Sequence, residues 1–192
     1  MISLMMALAA AAPAPQLVQC RQMECSWSRP VSNVAIRSTA AGTLRKVTAF
    51  RGISTYRDNA PSGFDGSIRI DWQKPAAIQY AFCSRSQPAL AFRSGKRWIA
   101  HALDLFSLPG YHGASAVSYL RACHGVEHDR EDIETAMRRL GYRPGTRSDQ
   151  VEIDWPEQLV ALPRRTAEST AAPFGKMVGA TGFEPATPTP PV

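Results

Sequence analysis

Long apolar runs are what this chain most conspicuously lacks. Nowhere does it hold the roughly 20 consecutive apolar residues a membrane-crossing helix requires. Its most apolar stretch, Ile2 to Ala12, breaks at Pro13 and Pro15, so no integral membrane segment is expected in the mature chain. There is no G-x-x-x-x-G-K phosphate loop and no G-x-G-x-x-G turn, which removes the sequence grounds for nucleotide or dinucleotide binding. No G-x-S-x-G elbow or paired-carboxylate motif stands in identifiable context, so neither an esterase nor a glycosidase framework is declared. Like charges never run beyond short pairs such as Arg45-Lys46, Lys96-Arg97 and Arg138-Arg139. No cofactor is expected.

The 192 residues are 44% hydrophobic and 20% charged, a globular composition for one domain of ordinary size. Residues 1–15 read as a signal peptide, with small-residue cleavage options after Ala11 or Ala14, although no Lys or Arg precedes the apolar run. Residues 166–192 have no hydrophobic periodicity and are expected to be disordered. Within them "VGATGFEPATPTPPV" resembles spurious translation into a transfer RNA gene, since Gly182-Phe183-Glu184-Pro185 can be encoded by the T-arm consensus. The single domain is therefore placed at 16–165. Of the ionisable residues only Lys176, Glu168 and Glu184 fall outside it, which makes the body more basic than the whole chain at +6. A polyanionic surface or a protein could partner such a face. The arginines are nevertheless scattered from Arg21 to Arg165 and read first as a solvated surface.

Four cysteines, Cys20, Cys25, Cys83 and Cys123, are an even number in a chain with an export-like start, and two disulfides are expected. "CRQMEC" has the spacing of a zinc knuckle, but the other two cysteines supply no second knuckle. Among the three connectivities we expect Cys20–Cys25 as a local loop and Cys83–Cys123 as the long-range staple. The context carries the second choice: Cys83 ends the apolar run Ile78–Phe82, and Cys123 lies on the apolar face built on Val117 and Leu120.

From Val31 to Leu105 apolar residues alternate: Val34 and Ile36, Leu44 to Phe50, Ile68, Ile70 and Trp72, then Ile78, Tyr80 and Phe82. Period two implies strands with one buried face. Gly52 to Gly66 reads as a turn-rich loop, and Ser94-Gly95 as a two-residue hairpin turn. After Pro109-Gly110 the period becomes 3.6. Ala116, Val117, Leu120 and Cys123 share a face of a helix starting near Ser115 and capped by Gly125. Asp129 then caps a second helix carrying Ile133, Ala136, Met137 and Leu140, stopped by Gly141. "VEID" is a last strand, and Pro156 opens a helical turn through Leu162. The expected fold class is α+β: an antiparallel sheet from the N-terminal half with two to three helices from the C-terminal half packed on it.

One motif suggests chemistry. His124-Gly-Val-Glu127-His128 spells H-x-x-E-H, the inverted zinc-protease pattern. In a working site both histidines stand at i and i+4 on one continuous helix, facing the metal. Here Gly125 interrupts the helix and Asp129 opens another, so the histidines are expected on a connector without a common direction, and no metal site is expected. The alternative is a zinc-dependent hydrolase using His124, Glu127 and His128, with Glu152 or Glu157 the only candidates for a downstream ligand. Ser84, Ser86, His101 and Asp104 form a triad only on paper. Trp27, Trp72, Trp98 and Trp155 are expected to pack core and rim, or else to line a carbohydrate or peptide groove.

The segments "YAFCS…PAL", "YLRACHG" and "MRRLGY" are similar to uncharacterised families of small exported bacterial proteins, over about Gln16 to Leu162. The resemblance implies export and two disulfides; it implies no activity and no catalytic residues. The expectation is a periplasmic or secreted, basic, disulfide-stabilised protein that binds or interacts without catalysis.

Overall fold

The computed structural model describes residues 13–107, 112–125, 133–145 and 148–162. Glu127, His128, Asp129, most of the signal-like segment and the C-terminal tail lie outside them. Eight strands form one sheet: β1 (Gln16–Arg21), β2 (Glu24–Thr39), β3 (Gly42–Thr55), β4 (Asp71–Trp72), β5 (Ala77–Cys83), β6 (Ala89–Ser94), β7 (Arg97–Ala102) and β8 (Asp149–Ile153). Their order is β1-β2-β3-β5-β6-β7-β8, with β4 beside β3, and every pair is antiparallel. Helices α1 (His112–His124) and α2 (Ile133–Arg139) fall between β7 and β8, and a 3₁₀ helix, Pro156–Ala161, follows. The class is α+β, with the helices late in the chain.

Both faces of the central strands are covered, and the sequence alternation sorts residues between them. Ala81 and Leu90 join Val117, Tyr119, Leu120, Ile133 and Met137 in a core on the helical side. Leu44, Phe82, Ala89, Ala91 and Ala100 join Ile153 and Leu159 of the 3₁₀ helix on the other. Further along that second face Trp27 is buried, donating Nε1–H to Ser54 Oγ at 2.8 Å and meeting the Phe64 ring edge-on. Gly52, opposite Trp27, is required there, because a Cβ would stand 2.4 Å from Ile70 Cγ2.

Two disulfides use all four cysteines, in the expected pairs. Cys83–Cys123 joins the end of β5 to α1 with Cα atoms 5.3 Å apart, inside the permitted range. Cys20–Cys25 spans directly opposed residues of β1 and β2, Cα atoms 4.0 Å apart. Between them Gln22 and Met23 both take positive φ, 50° and 65°, the geometry of a type I′ hairpin turn. That turn normally takes Asn-Gly, so "RQME" gives no hairpin signal. The Tyr56 amide holds it by donating to the Met23 carbonyl at 3.0 Å.

Several expectations are corrected. Strands begin at Gln16, not Val31, and β3 continues to Thr55 where a loop from Gly52 is expected. Val34 and Ile36 are 49% and 43% exposed. Every residue of β2 from Val31 to Thr39 is exposed, so this half of the strand is covered on neither face, and a register shift between Ala35 and Arg37 also leaves Ile36 without a β3 partner. Ile68 and Ile70 precede a two-residue strand instead of forming a longer one. The β6–β7 turn is Gly95-Lys96, because Ser94 pairs with Arg97 and Gly95 supplies φ 60°. Helix α1 starts at His112, three residues before Ser115. Gly141 does end α2: its amide bonds Arg138 O, and Tyr142 N bonds Met137 O, a Schellman closure.

Two stability measurements follow from this geometry. The Cys83–Cys123 bond closes a separation of 40 residues and the Cys20–Cys25 bond one of 5. Loop-closure entropy gives about 4 and about 2 kcal/mol respectively. Guanidinium unfolding of the two double Cys→Ala variants should show the first losing roughly twice as much as the second; equal losses would contradict it. Met23→Gly should raise unfolding free energy by about 1 kcal/mol, since it removes a left-handed side-chain penalty while Met23 is largely exposed.

Candidate functional site

His124 ends α1, where Gly125 reverses the chain at φ 64°. Its Nε2 lies 2.7 Å from Tyr142 Oη, which lies 3.0 Å from Tyr119 Oη. Tyr119 in turn donates to the Ser84 carbonyl at 3.1 Å and accepts from the Ser84 amide at 3.0 Å. Two hydroxyl protons must serve three oxygen contacts. All the bonds form together only when Tyr119 donates to Ser84, Tyr142 donates to Tyr119, and His124 donates from Nε2. This places the proton of neutral His124 on Nε2 and its lone pair on Nδ1. Burial, then the Arg85 charge, lowers the His124 pKa below 6.5. Burial likewise raises the Tyr119 and Tyr142 phenols. The network joins α1, the turn that follows α2 and the end of β5, and spends one nitrogen of the H-x-x-E-H motif on a phenol.

The other sequence candidates go separate ways. His101 is buried and meets Ser148 Oγ at 3.1 Å. Ser84 Oγ accepts from the Gln87 amide at 3.2 Å and lies 3.4 Å from Ser86 Oγ. Asp104 accepts from the Phe106 amide. Glu152 pairs with Arg97 at 2.6 Å on the surface, and Glu157 stands on the 3₁₀ helix. Among the described residues no three His, Cys, Asp or Glu side chains gather as metal ligands. Arg29 stacks on Trp72, Tyr80 and Arg93 on Trp98, and Trp155 is exposed. The tryptophans therefore form no common platform.

A groove among the described residues lies elsewhere, between α1 and the helical face of the sheet, with a volume of about 620 Å³. Alternation along β3 places Val47, Ala49 and Arg51 on its floor, beside Gln79, Leu90 and Phe92 of β5 and β6. β1 and β2 contribute glutamine and serine walls, notably Gln19, Ser26 and Ser28. The roof is a stripe of small residues on α1, Ala114, Ser115, Ser118 and Ala122, with Arg121. That stripe was visible in the sequence, next to the Ala116, Val117, Leu120 and Cys123 face. Its meaning was not, because only packing decides whether small residues meet a neighbour or leave a gap. Helix α1 is held over the groove at three points: the Cys83–Cys123 bond, Asn33 Nδ2 donating to Ala122 O at 2.9 Å, and Arg121 donating to Leu17 O at 2.7 Å.

The His124 network is testable by pH. Its folded pKa is lowered, so between that value and 6.5 the unfolded chain binds more protons, and stability is lost as pH falls through this window. His124→Gln keeps an N–H donor for Tyr142 but cannot titrate. Urea midpoints measured at about pH 7.5 and about pH 5 should fall further for the parent than for the variant; equal falls would show that His124 is not desolvated.

Compared with protein-family models, with curated proteins and with solved structures, the chain matches none.

Proposed function

We propose that the protein is a non-catalytic binding module of an oxidising compartment, periplasmic or secreted, whose ligand seats in the groove beneath α1. The observation that carries this reading is the groove: about 620 Å³, within the range of small-molecule sites, with an apolar floor and amide and hydroxyl walls. Its roof is tethered covalently and by two hydrogen bonds, so the space is largely pre-formed and little ordering cost falls on binding. The compartment is supported by the export-like start and by the pairing of all four cysteines. No helix among the described residues is long and apolar enough to cross a membrane.

The test is occlusion. Ser118, half-buried on the roof, is replaced by phenylalanine, and binding of the apolar probe anilinonaphthalene sulfonate is followed by fluorescence. Saturable binding to the parent should be lost in Ser118→Phe with the unfolding midpoint retained. Undiminished binding would place the probe elsewhere and count against the groove. Polyanion adhesion predicts instead an affinity that falls steeply with salt. The zinc-hydrolase alternative predicts stoichiometric zinc, lost in His128→Ala.

A further inference from the structure

Charge is distributed one-sidedly in the groove, and this narrows what it can hold. Among the described residues its lining contains no Asp, Glu, Lys or His; the charged ones are Arg51 and Arg121. Arg51 pairs with Ser28, which pairs with Gln16, while Arg121 reaches the neighbouring Leu17 carbonyl through Nη2. Both guanidinium groups therefore belong to the β1 end. From there the floor turns apolar along one face of β3, through Ala49 to Val47, and on to Leu90 and Phe92. Val47 packs against the helical-side core.

We propose that the groove takes a medium-chain alkyl carboxylate, its tail along Ala49 and Val47 and its single negative charge at the Arg51 and Arg121 end. This rests on the groove being the binding site. Four residues of strand separate Arg51 from Val47, about 13 Å at the rise of a β-strand, the reach of an extended medium-length chain. The apolar floor rewards burial of methylene groups, and guanidinium is the side chain best shaped to receive a carboxylate. The charges on the described lining residues are both positive, so they attract an anion, whereas a cationic amphiphile would bring a further positive charge to two arginines. Gln19 adds a third polar group: its Oε1 is buried without a hydrogen-bond partner. Rotating that amide by a half-turn exchanges the oxygen for an N–H donor.

The experiment is isothermal titration of the full chain with decanoate, decanol and decyltrimethylammonium, repeated on Arg51→Gln and Ser118→Phe. Arg51 is exposed, so its replacement should leave the fold intact. Decanoate should bind the parent at least tenfold more tightly than decanol, and the cation should not bind. Arg51→Gln should bring decanoate to the level of decanol and leave decanol unchanged. Ser118→Phe should abolish both. Equal affinity for decanoate and decanol would overturn the anion assignment and leave the groove as the site. Decanoate binding that survives Ser118→Phe would mean adsorption to the basic surface and overturn it as well. Failure of all three probes on a parent that still binds anilinonaphthalene sulfonate in the groove would reject the alkyl chain. Failure of that probe too would remove the groove reading beneath it.

Discussion

The placement of α1 on the sheet is the constraint from which the rest of the structure follows. A 13-residue helix carrying alanines, serines and a few large apolar residues has little propensity or apolar area to hold itself in place. Cys83–Cys123 supplies the missing restraint by joining the last residue of β5 to the last turn of the helix. The residue next to Cys83 is Ser84, whose backbone is gripped at both its amide and carbonyl by Tyr119. The covalent bond and the phenol thus hold the same end of β5 from points one turn apart on α1, which fixes the rotation of the helix as well as its position.

That fixation explains why a buried polar network is tolerated beside the core. Tyr119 is fully buried and its hydroxyl would be costly without partners. With Ser84 and Tyr142 it has three. The Schellman closure at Gly141 delivers Tyr142 to this point directly after α2, and His124 completes the chain from the end of α1. A glycine that looks in sequence like a mere helix stop positions one phenol of this hydrogen-bond chain, and a histidine that looks like half of a metal motif ends it. Glu127 and His128 lie outside the described residues, so only the His124 part of that motif has a structural place.

Legibility in the sequence followed the locality of the interactions. The strands β3, β5, β6 and β7 showed through their apolar residues, and β6 and β7 also through the tight turn that joins them, whereas the pairing of β7 with β8 across both helices had no local signal. The α2 stop showed because Gly141 acts within its own turn, and the disulfide pairing showed because both cysteines sit at the ends of apolar patterns. The β1–β2 hairpin stayed hidden: Gln22-Met23 is a poor turn sequence, held in the left-handed region by the flanking strands, the Cys20–Cys25 bond and Tyr56. Val34 and Ile36 misled because alternation implies a buried face only where something covers the sheet, and β2 from Val31 to Thr39 is exposed on both faces. For Ile70 the same apolar signal served a cover over Gly52 instead of a ladder. The groove had no local signature, since it is the space left between residues far apart in sequence.

Why that space persists is the remaining physical question, because apolar concavities tend to close. Closure would require α1 to tilt toward β1 and β2, carrying Ala114, Ser115 and Ser118 onto Ala49 and Ser28. The disulfide at Cys123 opposes this from the last turn of the helix, and in the same turn Asn33 and Arg121 act as struts, each spanning from one wall to a main-chain carbonyl on the other. Asn33 is itself braced, accepting from Arg45 Nε at 2.8 Å. Shortening either strut would break a half-buried hydrogen bond, and the small side chains of the roof would gain too little contact to offset the loss. Polar struts beside an apolar floor keep a cavity open where a larger roof residue would have filled it.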